Sequence, residues 1–227
     1  MCRLASPANL RLRQTRDLEV TYAGAEASVA ASICNFGGEA RYVTALPKHA
    51  LAEATMDTLR AVGIDTQYVL RTDTGRLGLY FLETGANQRP SNVIYDRADS
   101  AIAITSADAY DWDAIFDGAQ WLHLSGITPA LSKTAAEATL KAAQKAKAAG
   151  VTVSCDLNFR KKLWQWDPST PARELAEAKN FGYKIIGPEI GDMACGEYGK
   201  GKMTEPYDIY NEINNHFKSL AVNNKLK

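Results

Sequence analysis

Residues 76–103 read RLGLYFLETGANQRPSNVIYDRADSAIA, and this stretch decides the fold that the sequence predicts. The residues of LGLYFLE (77–83) and of NVIYD (92–96) alternate in side-chain polarity, which predicts two half-buried strands. TGANQRPS (84–91) contains Gly, Asn and Pro, so it predicts the loop of a hairpin. Two strands joined by so short a loop pair antiparallel.

The segments on either side of this hairpin alternate between strand and helix patterns. Three apolar runs predict strands: ARYVTAL (40–46), AQWLHLSG (119–126) and VTVSCDL (151–157). Two alanine-rich stretches predict helices that end at a glycine: ALAEATMDTLRAVG (50–63) and SKTAAEATLKAAQKAKAAG (132–150). Strands that alternate with helices of this length form a parallel sheet. The predicted fold is therefore α/β, a parallel sheet with flanking helices and a small antiparallel β flap at about 76–97.

Composition excludes several classes of function. The chain has 227 residues, of which 46% are hydrophobic, and its 26 basic and 26 acidic residues cancel. This balance gives no indication of nucleic acid or an anionic membrane surface as a partner. The four cysteines are far apart, which argues against a zinc site and a disulfide framework. With no signal-like start and no apolar run that could span a bilayer, the sequence predicts a cytoplasmic protein without a metal site.

The composition changes near residue 179. Residues 1–178 contain 33 alanines and all twelve arginines, whereas 179–227 contain two alanines and no arginine. Ala and Arg codons are rich in G and C, so the change indicates a join between two coding segments. An alanine-rich domain followed by a polar tail is the alternative. Either reading predicts a domain at 1–178 and a separate tail at 179–227.

Two stretches contain candidate ligand-binding residues, because ligands of open α/β sheets bind beyond the carboxyl ends of the strands. In YAGAEASVAASICNFGG (22–38), Gly24 would allow a ligand to approach the backbone just before a helix. That helix is expected to bury Val29, Ile33 and Phe36 and to end at Gly37. A simple strand-to-helix turn explains the same glycine equally well.

The second stretch is VTVSCDLNFRKKLW (151–164), in which Asp156, Asn158 and Arg160 alternate with apolar residues. The alternation predicts three polar side chains on one face at the end of a buried strand. Tyr95 and Arg97 lie on the flap, and a guanidinium group suits a carboxylate or a phosphate. Each of these side chains alone would be ordinary for a protein surface.

Taken in order, these stretches resemble the ribokinase-like, PfkB-type sugar kinases, and within them the 2-keto-3-deoxygluconate kinases. The resemblance implies an incomplete ribokinase-like fold, a sugar acid as substrate, ATP and magnesium as cofactors, and a possible homodimer formed through the flap. It implies a substrate site that contains Gly24, Ser28, Tyr80, Tyr95, Arg97 and Arg160. It also implies a nucleotide site that contains Asn158 and Arg160. Ser28 stands where the family usually has Asn, and MCRLASPANLRL (1–12) lacks most of the family's first core strand.

The sequence provides no catalytic residue that we can identify. In the resembled family, a Gly-Ala-Gly-Asp turn supplies an aspartate as base and backbone N–H groups that stabilise the transferred phosphoryl group. Gly191 and Asp192 imitate part of this turn, but Glu189 and Ile190 occupy positions that need small residues. Asp192 also follows the strand at 151–157 too closely for half of a nucleotide-binding fold to lie between them.

A second resemblance concerns FGYKIIGPEIGDMACGEYGKGKMTEP (181–206), whose residues 191–203 look like neither helix nor strand. This segment resembles a loop of phosphopantothenoylcysteine decarboxylases, which implies a proton-donor role for Cys195 and puts Lys202 in place of an arginine. No flavin-binding strands or catalytic histidine accompany it. Three hypotheses follow: a sugar-acid kinase that is inactive alone, a non-catalytic sugar-acid-binding or dimerising remnant, and a decarboxylase-like flavoprotein.

Overall fold

A computed structural model describes residues 1–158, 163–164, 166, 185–192 and 198–225, with side chains as far as residue 218. The chain divides into two compact units, Met1–Pro168 and Ser169–Lys227. The change of composition near residue 179 falls slightly later than this division. Within the described residues, no helix is both long enough and apolar enough to cross a membrane.

The first unit contains eight strands and five α-helices within its described residues. The strands are β1 (Cys2–Ala5), β2 (Glu19–Tyr22), β3 (Thr44–Pro47), β4 (Val69–Thr72), β5 (Leu79–Glu83), β6 (Asn92–Asp96), β7 (Trp121–Ser125) and β8 (Thr152–Asp156). The helices are α1 (Ala25–Asn35), α2 (Ala50–Ala61), α3 (Ala101–Ile104), α4 (Trp112–Phe116) and α5 (Lys133–Ala148). Strands and helices alternate after the flap, so the α/β prediction is confirmed.

The flap is a four-stranded sheet in the order β2-β1-β5-β6. Its hairpin β5–β6 pairs antiparallel, with Tyr80 opposite Tyr95, as the alternation of residues 77–96 predicts. The structure adds two strands to the predicted pair: β1 runs parallel to β5, and β2 runs antiparallel to β1. The amino-terminal residues 2–5 therefore belong to the flap.

The remaining strands of the first unit form two parallel pairs, β3 with β4 and β7 with β8. Both pairs rest on one apolar cluster, because Leu70 of β4 and Leu122 of β7 pack against it, as does Val43 just before β3. The members of this cluster are Tyr110, Trp112, Ile115, Phe116, Ala142, Ala146 and Val151. The helices end as predicted, with Gly63 after α2 and Gly150 after α5 in the left-handed region.

The predicted apolar stripe of α1 is wrong. Val29 is 37% exposed, Ile33 is 41% exposed and Phe36 is 91% exposed. The helix instead packs through its alanine side, where Ala30 lies with Leu59 and with Ile64 in a small buried cluster. Small side chains allow this close approach, and the larger apolar residues are left on another face of the helix.

The predicted alternation of polar residues beyond β8 is also wrong. The strand ends at Asp156, and Asn158 has a positive φ of 36°, so the chain turns before the alternation can continue. Val153 and Leu157 are 38% and 47% exposed, although a buried strand was expected. Arg160 lies outside the described residues.

The second unit contains a hairpin and a long helix among its described residues. Strand β9 (Glu189–Asp192) pairs antiparallel with β10 (Tyr198–Lys202), and α6 (Pro206–Lys225) follows. The expectation that residues 191–203 form no strand is therefore wrong for the residues that lie in β9 and β10. Cys195 lies outside the described residues.

Replacing Gly126 with alanine should destabilise the first unit. An added Cβ would lie 2.1 Å from the carbonyl oxygen of Leu157, so the backbones after β7 and β8 would have to separate. We expect a loss of about 1–3 kcal/mol in the free energy of unfolding, measured by urea denaturation. Gly24→Ala is the matched control, because its Cβ would meet no atom closer than 3.5 Å. Equal urea midpoints for Gly126→Ala and Gly24→Ala would contradict this prediction.

Candidate active site at the carboxyl edge of the strands

One face of the flap carries a row of polar and aromatic side chains. Arg3 pairs with Tyr80, and Tyr80 pairs with Tyr95, so the three residues stand side by side on β1, β5 and β6. The two tyrosine rings lie 6.5 Å apart between centroids. Arg97 is two residues beyond Tyr95 and therefore continues the same face.

The start of α1 approaches this face from the other side. Glu26 lies in the first turn of α1, and one of its carboxylate oxygens accepts a hydrogen bond of 2.8 Å from the hydroxyl of Thr128. Thr128 follows β7, so this bond links the first helix to the carboxyl end of a parallel strand. It also orients the Glu26 carboxylate.

These elements enclose a cavity of about 1020 Å³. Its lining includes a polar group formed by Gly24, Glu26, Tyr42, Arg97 and Thr128, which we call the mouth. The structure thus brings together two of the residues predicted from the sequence, Gly24 and Arg97. The tyrosines Tyr80 and Tyr95 do not line this cavity, but they share the flap face that leads to Arg97.

Arg97 is the electrostatic centre of the mouth. Its Nε and Nη1 atoms are buried and have no hydrogen-bond partner among the described residues. Burial lowers the pKa of its guanidinium group, while the nearby Glu26 carboxylate opposes that shift. At neutral pH the group stays charged, so two buried donor nitrogens are directed at no acceptor that the structure describes.

Tyr42 adds a neutral donor to the mouth. Burial raises the pKa of its phenol, and the negative charge of Glu26 raises it further, so the hydroxyl keeps its proton. Its oxygen lies 3.5 Å from the place that a Cβ at Gly24 would occupy. Since Gly24 has an extended φ of 179°, the backbone there does not itself require glycine. Gly24 matters because, without a side chain, it leaves space beside the Tyr42 hydroxyl.

The other predicted residues do not line this cavity or lie outside the described residues. Ser28 is exposed, and its hydroxyl donates a hydrogen bond of 2.9 Å to the carbonyl oxygen of Gly24. Asn158 donates from Nδ2 to the Ser125 hydroxyl at 3.0 Å, which links the carboxyl ends of β8 and β7. Within the described residues, no group of three or more His, Cys, Asp and Glu side chains could hold a metal ion.

Sequence reasoning missed Glu26, Tyr42 and Thr128. An acidic residue directly after the turn at Gly24 was a usable signal for Glu26, since a carboxylate in the first turn of a helix is favoured by the helix dipole. Tyr42 lies just before β3, and Thr128 lies in the loop after β7. Neither segment carries a comparable signal in the sequence. Only the fold brings these two residues to Glu26.

The mouth has the chemistry of a site for a small anionic ligand that also carries hydroxyl groups. A charged guanidinium binds a carboxylate or a phosphate, Tyr42 can donate to an oxygen, and Glu26 can accept from a hydroxyl. A concave site at the carboxyl edge of parallel strands is typical of α/β enzymes that bind small molecules. The fold and the site therefore define an α/β domain with a candidate site for a small ligand.

Comparison with known proteins gives the family. The sequence pattern of the pfkB family carbohydrate kinases matches residues 5–179, and the chain belongs to this family. The 2-dehydro-3-deoxygalactonokinase of Haloferax volcanii is 41% identical over 178 residues, which are 78% of this chain and 54% of that protein. The chain therefore spans about half the length of this curated relative.

Solved structures agree in fold. The crystal structure of 2-dehydro-3-deoxygluconokinase from Thermotoga maritima matches with a TM-score of 0.70 and 49% identity, over 72% of this chain and 50% of that one. The fructokinase of Xylella fastidiosa, solved with bound ATP, matches with a TM-score of 0.66 and 26% identity, over 77% of this chain and 51% of that one. These relatives give no support to the resemblance between residues 181–206 and decarboxylases.

Replacing Arg97 with methionine should stabilise the free protein. Methionine keeps much of the volume and removes a buried charge whose Nε and Nη1 donors have no described partner, so we expect a gain of about 1 kcal/mol in the free energy of unfolding. Arg71→Met is the control. Arg71 donates to the Pro47 carbonyl at 2.9 Å and pairs with Glu53, so this substitution should lower the free energy of unfolding. If Arg97→Met and Arg71→Met lower the free energy of unfolding equally in urea denaturation, Arg97 has a structural role instead.

Proposed function

We propose that this chain provides the sugar-acid-binding part of a kinase of the 2-keto-3-deoxygluconate type, which transfers a phosphoryl group from ATP to a sugar hydroxyl. The observation that carries the proposal is the buried Arg97 guanidinium, whose Nε and Nη1 atoms have no partner among the described residues. The relative from Haloferax volcanii is named as a kinase of a 2-dehydro-3-deoxy sugar acid, which supports a carboxylate as the missing partner.

In the proposed complex, the carboxylate of the sugar acid accepts hydrogen bonds from Arg97. Tyr80 and Tyr95 are directed to the hydroxyl groups of the sugar, and the backbone at Gly24 passes close to it. Ser28 is placed at the edge of this site. ATP with magnesium would lie beside Asn158 and Arg160, at the carboxyl end of β8. The ATP-bound fructokinase relative supports a nucleotide in this family.

We infer further that the chain binds the sugar acid without turning it over. The sequence contains no Gly-Ala-Gly-Asp segment, so a base and the backbone donors for the transferred phosphoryl group are lacking. A positioned base contributes about 10²–10⁴-fold to a rate, and donors that stabilise the developing charge contribute about 10²–10³-fold. Asp192 lies in β9 of the second unit and has no part in the proposed mechanism.

Calorimetry and a coupled kinase assay test this proposal together. We expect the purified chain to bind 2-keto-3-deoxygluconate and to show no phosphorylation above background with ATP and magnesium. Arg97→Met should weaken binding about 10–100-fold, because hydrogen bonds to charged groups contribute about 1.5–3 kcal/mol. Asp192→Asn should leave both measurements unchanged.

Arg60→Met is the matched control for binding. Arg60 lies on α2 with a side chain that is 54% exposed, and it does not line the cavity. Equal binding by the Arg97 variant and the unchanged chain would reject Arg97 as the carboxylate site. Turnover by the unchanged chain that is lost in Asp192→Asn would show that the proposed inactivity is wrong.

A second role, dimerisation through the flap, rests on a separate observation. Val20, Leu4, Phe81 and Ile94 form one row across the four flap strands, on the face opposite Tyr80. Val20 and Ile94, on the two edge strands, are 51% and 49% exposed. An exposed apolar row across a sheet with two free edges is suited to a second copy of the same surface.

Light scattering at tens of micromolar should show a dimer, since this concentration suits about micromolar affinity. Ile94→Lys should produce a monomer because it places a charge in the apolar row. Leu140→Lys should leave the dimer intact, because Leu140 is a similarly exposed apolar residue on α5. A monomer of the unchanged chain would exclude this role.

A further inference from the structure

Arg76, at the base of the flap, binds the residues on either side of Arg97. Its Nη1 atom donates to Asp96 Oδ2 at 3.0 Å, and its Nη2 atom pairs with the other oxygen of the same carboxylate. Its Nε atom donates to the carbonyl oxygen of Ala98 at 2.9 Å. One guanidinium group therefore holds positions 96 and 98, and Arg97 stands between them.

Backbone hydrogen bonds fix the position of Arg76 itself. Its N–H donates to the Asp99 carbonyl at 3.2 Å, and its carbonyl oxygen accepts from the Ala101 N–H at 2.9 Å. The preceding Gly75 has a φ of 80°, and a Cβ there would lie 2.7 Å from the Cα of Ala101. Because the two backbones are in contact here, the Arg76 side chain starts from a fixed point beside the segment that contains Arg97.

The Arg97 side chain has few contacts of its own that could orient it. Its Nε and Nη1 atoms have no hydrogen-bond partner among the described residues. The Nε atom lies 3.6 Å from the place that a Cβ at Gly78 would occupy, which is a packing distance and not a hydrogen bond. A long side chain held by packing alone keeps rotamer freedom that a ligand must remove on binding. The backbone at residue 97 is therefore a principal restraint on where its guanidinium group lies.

Direct binding of the ligand is the alternative role for Arg76, because Arg76 also lines the cavity. Its Nε atom and both of its Nη atoms already have acceptors within the chain. The Nε and Nη1 atoms of Arg97 have none among the described residues. An anion in the cavity would therefore bind Arg97 and leave the bonds between Arg76 and Asp96 in place.

Stability alone does not explain the pair of Arg76 and Asp96. Their side chains are 38% and 46% exposed, and ion pairs with this exposure contribute little to the free energy of unfolding. What the pair does provide is geometry, since a planar fork that binds both oxygens of a carboxylate fixes direction as well as distance.

We propose that Arg76 is a positioning residue for the ligand site: its bonds to Asp96 and Ala98 hold the Arg97 guanidinium in the orientation that receives the carboxylate of the ligand. This inference rests on the proposed sugar-acid site and adds a residue that acts on it only through Arg97. Loss of the Arg76 bonds leaves the charge and the donors of Arg97 intact. It lowers affinity because the ligand itself then has to order a long side chain.

A double-mutant cycle tests the proposal, with calorimetric binding of 2-keto-3-deoxygluconate as the measurement. Arg76→Met should weaken binding about 3–10-fold in the unchanged chain, as expected when a ligand must order one long side chain. The same substitution should cause no further loss in the Arg97→Met background, which has no guanidinium group at residue 97 to position. Arg76→Lys should weaken binding as Arg76→Met does, because lysine keeps the charge and loses the planar fork.

Arg71→Met is the matched control for loss of an arginine ion pair. Arg71 pairs with Glu53, donates to the Pro47 carbonyl and does not line the cavity, so its substitution should leave binding unchanged. A second measurement needs no ligand: exchange of the Arg97 Nε–H with solvent, followed by NMR. Arg76→Met and Arg76→Lys should speed this exchange about tenfold, and Arg71→Met should not.

Equal weakening by Arg76→Met in both backgrounds would overturn the proposal, because Arg76 would then act on the ligand without Arg97. Full affinity in Arg76→Lys would also overturn it, since charge alone would explain the role. If the unchanged chain does not bind the sugar acid, the proposed function fails and exchange of the Arg97 Nε–H decides this inference by itself. Faster exchange in Arg76→Lys then supports positioning by Arg76, and unchanged exchange rejects it.

Discussion

The first unit depends on one apolar cluster beneath its parallel strands. Tyr110, Trp112 and Phe116 stack on one another, and the residues beside β3 and on β7 pack against them. Burial of aromatic surface contributes strongly to stability, and here it holds both strand pairs against the same cluster. The cavity between the pairs and the polar mouth at their carboxyl ends follow from this arrangement.

Arg97 shows how the same unit combines stability with ligand binding. A guanidinium group whose Nε and Nη1 atoms are buried without described partners is unfavourable for the folded chain. A carboxylate ligand would satisfy these donors, so the unfavourable burial becomes affinity when the ligand binds. Glu26 offsets part of the positive charge, and its bond to Thr128 holds it in place. In the proposed site, Arg97 thus holds unpaired donors before an anion binds.

The flap carries different kinds of side chain on its two faces. Arg3, Tyr80 and Tyr95 stand on one face, and Leu4, Phe81 and Ile94 stand on the other. This separation is a direct result of strand geometry, in which neighbouring residues point to opposite sides. In the proposed function, one sheet would present a ligand-facing surface and an apolar surface for a second copy on opposite sides.

The sequence by itself determined the α/β class, the β5–β6 hairpin and the ends of α2 and α5, because these follow from local periodicity and from glycine after a helix. It also named Gly24 and Arg97 as candidates, and the structure places both in the lining of one cavity. Periodicity failed for α1, where Val29 and Ile33 form an apolar stripe that the described elements do not bury. It failed again after β8, where the turn at Asn158 ends the alternation.

Only the tertiary structure decided which residues meet. Tyr42 and Thr128 come close to Glu26 across long stretches of chain. A sequence pattern records which face of an element is apolar, but it does not record which partner covers that face. Contacts between distant segments depend on packing of the whole unit, and the candidate site is made of such contacts.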